Sequence, residues 1–399
     1  MKNLCIVEPD LNSYMGHMFN YCRSIYSAAR RDNINVRVFG SKEYKIETTV
    51  GMPVEGIFDS FLAGKMLPSR IKGYFLRPFQ CNRSFYNGMV SPKTGFLNQD
   101  WVVFVCSATT HNLLGLYFWL KRYEREKAPT LVLFMRFSCS RNGRPGISLI
   151  LLALWKFLLI PVVKKLSRKY QIRLVTDSQK LAGEYRSFTG LPVSVLPIPH
   201  TSYLKTGRAC HGDKIVFLNP GGARSDKGFS LLASAIRLLH QRNQLTGIDF
   251  LLHCYSFKND KGSLRSIALL KSLGLPNVKL IEHTVDEMVY QKMIGNSDII
   301  VLPYLKWRYS SSTSGILAEA LALGKPVVAT DGTWMSDQLK DSGAGVCFKD
   351  NNVEDLARAM LEAKNIYPQL AKQAEDFRSK WAAFHNPDNF IRELANTAN

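Results

Sequence analysis

Paired metal-ligand spacings are missing from this chain. Its eight cysteines stand singly, at 5, 22, 81, 106, 139, 210, 254 and 347, with no CxxC and no HxxxH. No metal site is therefore expected, and the thiols read as buried apolar groups in a reducing compartment. The phosphate loop GxxxxGK[ST] and the dinucleotide fingerprint GxGxxG are absent too, which removes the commonest nucleotide-binding readings. There is no DxD pair, no short repeat and no low-complexity tract. The opening MKNLCIVEPD has too short an apolar run for a secretory signal and reads as a first strand. Acid is scarce in one region: residues 60–173 hold 19 basic and 3 acidic groups. Most of the net charge of +20 lies in the first half, with 28 basic against 12 acidic groups over 1–200. That half is expected to meet something anionic.

What is present is a globular composition, 46% hydrophobic and 21% charged over 399 residues. Short apolar runs alternate with helical patterns in two series. The first has strands at Asn3–Val7, Val36–Phe39, Trp101–Val105, Thr130–Met135, Ile172–Thr176 and Val193–Leu196, with helices near 17–30, 111–126, 147–169 and 178–188. The second has strands at Lys214–Leu218, Ile248–Cys254, Val278–Ile281, Asp298–Leu302, Pro326–Thr330 and Gly345–Phe348. Its helices fall near 228–240, 263–273, 285–295, 314–323 and 352–364. Near-continuous apolar strands separated by helices predict parallel sheets covered on both faces, hence two doubly wound α/β domains. The reading is a first domain over 1–198, a polar linker over 199–213, a second domain over 214–375 and a helical segment over 376–399. Residues 43–99, aromatic and basic, fit neither period.

Two stretches of the second half carry chemistry. In SSSTSGILAEALALGKPVVAT, from Ser310, Thr313 or Ser314 caps a short helix that Gly324 and Pro326 end. A helix start offers unpaired N–H donors, and Gly315 allows close approach, so the site suits phosphate or sugar oxygens. Glu319, one turn in, would repel phosphate but can accept from a vicinal diol such as ribose. The plainer alternative is a simple cap with a solvated acid. In FLNPGGARSDKGFSLLASAIRLL, from Phe217, a strand enters a glycine-rich turn bearing Arg224 and Lys227, then a helix. Arginine as a fork and lysine as a point charge suit a diphosphate. A merely basic loop is the alternative.

Together with NVKLIEHTVDEMVYQKMIGNSDIIVLPY, LVTDSQKLAGEYRSFTGLPVSVLPIP and GHMFNY, these stretches closely resemble the family 4 retaining glycosyltransferases, outside 43–99. The resemblance implies the GT-B fold, two doubly wound Rossmann-like domains facing across a cleft, with the segment 376–399 packing back towards the first domain, and transfer from a nucleotide-sugar donor without metal. It gives Arg224 and Lys227 the diphosphate and Glu319 the ribose as the catalytic set. Donor contacts would come from Gly221, Gly222, His283, Thr284, Ser311, Ser312, Thr313, Ser314, Gly315, Ile316 and Leu317. The acceptor side would hold Gly16, His17, His111 and Arg136. Three positions depart from the family pattern: Ser311 where an acid is common, Gly222 where the arginine often sits, and Arg136 where a histidine often follows the strand. Arg136 cannot act as a base at neutral pH.

No cofactor is expected beyond the nucleotide sugar as co-substrate. ISLILLALWKFLLIPVVKKLSRKY, from Ile147, is short and broken for a membrane span. It fits a buried helix or one lying on an anionic bilayer, and the surrounding charge favours the bilayer. The expectation is a cytoplasmic enzyme, peripheral at the inner face of the plasma membrane. It would act on a glycan acceptor carried on lipid, in bacterial surface-polysaccharide assembly. A non-catalytic nucleotide-sugar-binding or regulatory protein on the same frame is the alternative. No nucleic-acid partner is expected, because no groove-reading motif accompanies the basic residues.

Overall fold

The computed structural model describes residues 1–13, 17–44, 51–59, 70–109, 111–138, 161–199, 214–255 and 260–398, without the side chains of His17 and of 70–77. Gly16, most of the linker reading and the apolar stretch before 161 lie outside the described residues. The chain forms two compact units, Met1–Pro199 with Pro387–Asn399, and His200–Asn386.

The first unit is built on seven strands: β1 (Asn3–Val7), β2 (Asn35–Ser41), β3 (Glu55–Phe58), β4 (Trp101–Val105), β5 (Thr130–Phe134), β6 (Ile172–Thr176) and β7 (Val193–Val195). All pair in parallel, in the order β3-β2-β1-β4-β5-β6-β7. Both faces are buried, as unbroken apolar strands require. Leu4 and Ile6 of β1 enter one apolar cluster, Cys5 and Val7 the other. Helices α1 (His17–Arg31), α2 (Arg70–Met89), α3 (Leu113–Leu120), α4 (161–169) and α5 (Gln179–Thr189) cover the sheet.

Two elements, β3 and α2, fall in the stretch that fits no period. Helix α2 contains Pro78 and has no acid in its first turn. Tertiary packing holds it in place: Phe85 stacks on Phe58 at 5.1 Å, and the Asn82 side chain accepts from the Gly115 backbone N–H at 2.9 Å. That bond satisfies a donor that the first turn of α3 would otherwise leave unpaired. The helix expected near 111–126 spans only Leu113–Leu120, because beyond it Lys121 and Arg122 turn to solvent.

The second unit has six parallel strands, β8 (Ile215–Asn219), β9 (Ile248–His253), β10 (Val278–Ile281), β11 (Ile299–Leu302), β12 (Val327–Thr330) and β13 (Gly345–Phe348), ordered β10-β9-β8-β11-β12-β13. Helices α6 (Phe229–Gln241), α7 (Lys261–Ser272), α8 (Glu287–Gly295), α9 (Lys306–Tyr309), α10 (Gly315–Ala322), α11 (Trp334–Ser342), α12 (Val353–Asn365) and α13 (Tyr367–Phe384) follow. Strand order reverses direction at β8, which lies between β9 and β11. Loops leaving the carboxyl ends of β8 and β11 diverge there, the usual place for a ligand in an open α/β sheet.

Residues 376–399 do not form one helix. The Asn386 side chain caps α13 by donating to the carbonyls of Ala382 and Ala383 at 2.9 and 3.0 Å. Pro387 then begins α14 (Pro387–Ala398), which packs in the first unit on α1. Phe390 lies 5.9 Å from Tyr21 and 5.6 Å from Phe104, ring to ring. Among the described residues no helix is long and apolar enough to cross a membrane.

Candidate functional site

The glycine-rich turn leaves β8 at Asn219, whose side chain is tied to the Val301 carbonyl at 2.8 Å. Small residues are needed here for space. A Cβ on Gly221 would stand 3.0 Å from the Tyr304 hydroxyl and 3.3 Å from Lys227 Nζ. At Gly228, φ is +67° and a Cβ would fall 1.8 Å from the Pro303 carbonyl oxygen, so only glycine fits. Between them Ser225–Lys227 makes one 3-10 turn, anchored by Asp260, whose carboxylate accepts from the Ser225 backbone and hydroxyl at 2.8 and 2.7 Å.

Lys227 turns inward. Its Nζ donates to the Gly221 carbonyl at 2.8 Å and lies 5.3 Å from the centre of the Tyr304 ring. Burial, then the charge of Arg224, pushes its pKa down to about 8, while Asp226 and Glu319 push it back up. Arg224 gives Nε, at 2.9 Å, and Nη2 to the Asp226 carboxylate. That pair raises its pKa above the ordinary arginine value and occupies the fork on one side.

Across the strand reversal, Ser314 caps α10 by accepting from the Leu317 N–H at 3.3 Å. Ser311, Ser312 and Ser314 are buried, and among the described residues the Ser312 hydroxyl has no hydrogen-bond partner. Thr313, Gly315 and Ile316 keep some exposure at the helix mouth. Glu319 accepts from the Tyr290 hydroxyl at 2.8 Å. Burial lifts its carboxyl to about 7; the Tyr290 bond opposes this, Glu287 adds to it and Lys227 opposes it. Lys227 and Glu319 thus sit in one another's field. A cation, an acceptor carboxylate and a hydroxyl-rich helix start converge at the carboxyl edge of one sheet.

His283 and Thr284 follow β10 and are exposed. The His283 carbonyl lies 3.1 Å from Nε2 of His253, whose Nδ1 lies 3.2 Å from the Pro220 carbonyl. Sequence reasoning passes over His253, because its partners sit 33 and 30 residues away and a histidine ending an apolar strand carries no motif.

In the first unit Arg136 follows β5. It donates to the Cys106 carbonyl at 2.7 Å and stacks over Tyr21 at 4.2 Å and Phe134 at 4.6 Å. Its Nη2 is buried with no partner among the described residues. Burial opposes its charge, but Tyr21, Asp177, Cys106 and Glu8 together hold the pKa up. Glu8, also unmarked in the sequence, follows β1 and accepts from the Ser107 hydroxyl at 3.1 Å. Burial, then Asp10, raises its carboxyl to about 7. His111 lies in the turn before α3, its backbone N–H on the Thr109 hydroxyl at 3.2 Å. His17 opens α1. Among the described residues no cluster of three His, Cys, Asp or Glu is placed to hold a metal.

Residues 213–365 match the family described as "Glycosyl transferases group 1". Curated proteins compared by sequence give no match. Among solved structures, sucrose-phosphate synthase from Thermosynechococcus elongatus superposes with a TM-score of 0.73 at 13% identity, covering 99% of this chain and 98% of that one. HepE of Anabaena, solved with UDP and glucose, gives 0.66 at 13% identity, with 100% and 99% covered. The trehalose-6-phosphate synthase OtsA gives 0.69 at 11% identity, with 98% and 99% covered. At these identities the likeness is one of fold: this chain is a GT-B protein with two Rossmann-like domains.

Proposed function

We propose that this chain is a retaining glycosyltransferase that moves a sugar from a nucleotide-sugar donor, held by the second unit, to a glycan acceptor held by the first. The observation that carries this reading is the half-buried Lys227 on its glycine-rich turn, sharing a field with Arg224 and Glu319. It lies inside the stretch that matches the family. A fold neighbour solved with UDP and glucose adds support for a nucleotide sugar as donor.

In this reading the bond from the anomeric carbon to the diphosphate oxygen breaks as the acceptor hydroxyl bonds to the same face. The hydroxyl proton passes to the departing phosphate. The enzyme's work is to stabilise the charge growing on that phosphate. Lys227, Arg224 and the N–H groups at the start of α10 would do so, and no metal is invoked. Glu319 would accept from the ribose hydroxyls; His283 and Thr284 would lie by the base. Arg136 and Glu8 would line the acceptor side. The acceptor is proposed to be lipid-linked, as in bacterial polysaccharide assembly, and the protein peripheral at the inner face of the plasma membrane. The basic excess over 60–173 motivates that part.

Lys227→Ala should lower kcat/KM by about two to four orders of magnitude in a transfer or donor-hydrolysis assay across a panel of nucleotide sugars. Near-normal turnover would overturn the assignment. A second reading, donor binding without turnover, draws on Asp226 occupying the fork of Arg224. It requires nucleotide-sugar binding with neither hydrolysis nor transfer.

A further inference from the structure

His253 is a group at the carboxyl edge of the second sheet to which the proposed chemistry gives no task. It ends β9, the strand lying between β8 and β10. The register pairs Leu252 with Asn219 on one side and His253 with Ile281 on the other. The loops that follow β8 and β10 therefore leave on either side of it. Its ring spans the gap, with Nδ1 3.2 Å from the Pro220 carbonyl and Nε2 3.1 Å from the His283 carbonyl. We propose that His253 is a positioning residue that ties the loop 220–228 to the loop 282–286, so that a nucleoside and its diphosphate are received as one rigid unit. This rests on the donor reading above and adds a coupling between its two halves.

Both partners of the ring are backbone carbonyls, which only accept. A neutral imidazole has one N–H and serves one of them; the imidazolium serves both. The Pro220 carbonyl precedes that of Gly221, which receives Lys227 Nζ at 2.8 Å. Two nitrogen-bearing side chains thus hold successive carbonyls of the same turn. The turn needs such restraint: Gly221 and Gly222 carry no side chains, and Gly222 sits at φ +62°, so the backbone alone has wide freedom. At the far end the tethered carbonyl belongs to His283, beside Thr284. A tether between the two loops lowers the ordering cost of binding a ligand that touches both, and does nothing for a ligand that touches one.

The test uses the full chain and calorimetry with UDP, ADP and GDP. The tightest binder is then compared with its own nucleoside and with pyrophosphate. His253→Phe keeps an aromatic ring and removes both ring nitrogens; His253→Gln keeps a donor for one carbonyl. The nucleoside diphosphate should bind about tenfold more weakly to His253→Phe and about threefold more weakly to His253→Gln, the scale of one or two neutral hydrogen bonds. The nucleoside alone and pyrophosphate alone should stay within about twofold of wild type. Unchanged diphosphate affinity in His253→Phe overturns the inference and leaves the donor reading standing. Equal weakening of all three probes also overturns it, since that is what a plain structural role would do. If the wild-type chain binds none of the three nucleotides, the donor reading fails and this inference falls with it. Should His253→Phe not fold, His253→Gln carries the same comparison alone.

Discussion

Two titrating residues set the chemistry of the proposed donor site. Lys227 must be charged to meet a diphosphate, and its pKa is held at about 8 by burial and by Arg224. It therefore loses its proton as pH rises through about 8, and binding then has to recover one. Glu319 must be ionised to accept from a diol, and burial holds it at about 7. It gains a proton as pH falls through about 7. Donor affinity should peak between these values and fall by up to about tenfold per pH unit on either side. Calorimetric titration of the bound nucleotide from pH 6 to 9.5 checks this. In Lys227→Arg the alkaline limb should disappear, because arginine stays charged. Lys227, Arg224 and Glu319 were legible in the sequence because each is a charge set into a small-residue or apolar pattern. Glu8 and His253 were not, since their meaning lies in partners such as Ser107, 99 residues away.

Among the elements, every strand of the second unit was visible as a bounded apolar run, since burial on both faces writes itself into composition. Helix α2 was not. Its apolar residues are interrupted by Pro78 and by several arginines, and the stacking on Phe58 and the Asn82–Gly115 bond that hold it belong to other elements. The turn into α6 makes a sharper claim. Gly228→Ala would force an alanine to φ +67° and push its Cβ into the Pro303 carbonyl. The backbone term is about 1–2 kcal/mol, and the overlap adds to it, for a total of roughly 3 kcal/mol or more. Urea unfolding should show that loss together with lost nucleotide binding. Gly183→Ala, in α5 with no described atom within 4 Å of the new Cβ, should instead be neutral or stabilising by up to about 1 kcal/mol.

At the scale of the molecule, the two-domain α/β plan follows from the alternation of strands and helices, but the expected return of the last helix to the first domain rests on the family resemblance alone. An amphipathic stretch shows that it must bury a face, not which sheet receives it. Here Phe390, Ile391 and Leu394 are buried in the first unit, beside residues of β1, α1 and β2. Phe390→Ala should destabilise that unit by about 3–5 kcal/mol, a large share of the 5–15 kcal/mol typical of a folded domain. Denaturant unfolding followed by Trp101 and Trp119 fluorescence would report it.

The same return of α14 has a temporal side. A ribosome makes the strands and α1 of the first unit early, then all of His200–Asn386, and only afterwards the helix that covers them. At about 5–20 residues per second the wait lasts on the order of ten to forty seconds. Through that interval the nascent chain carries an uncovered, sticky face built around Tyr21 and Phe104, and shielding it falls to whatever chaperones meet the polypeptide as it emerges.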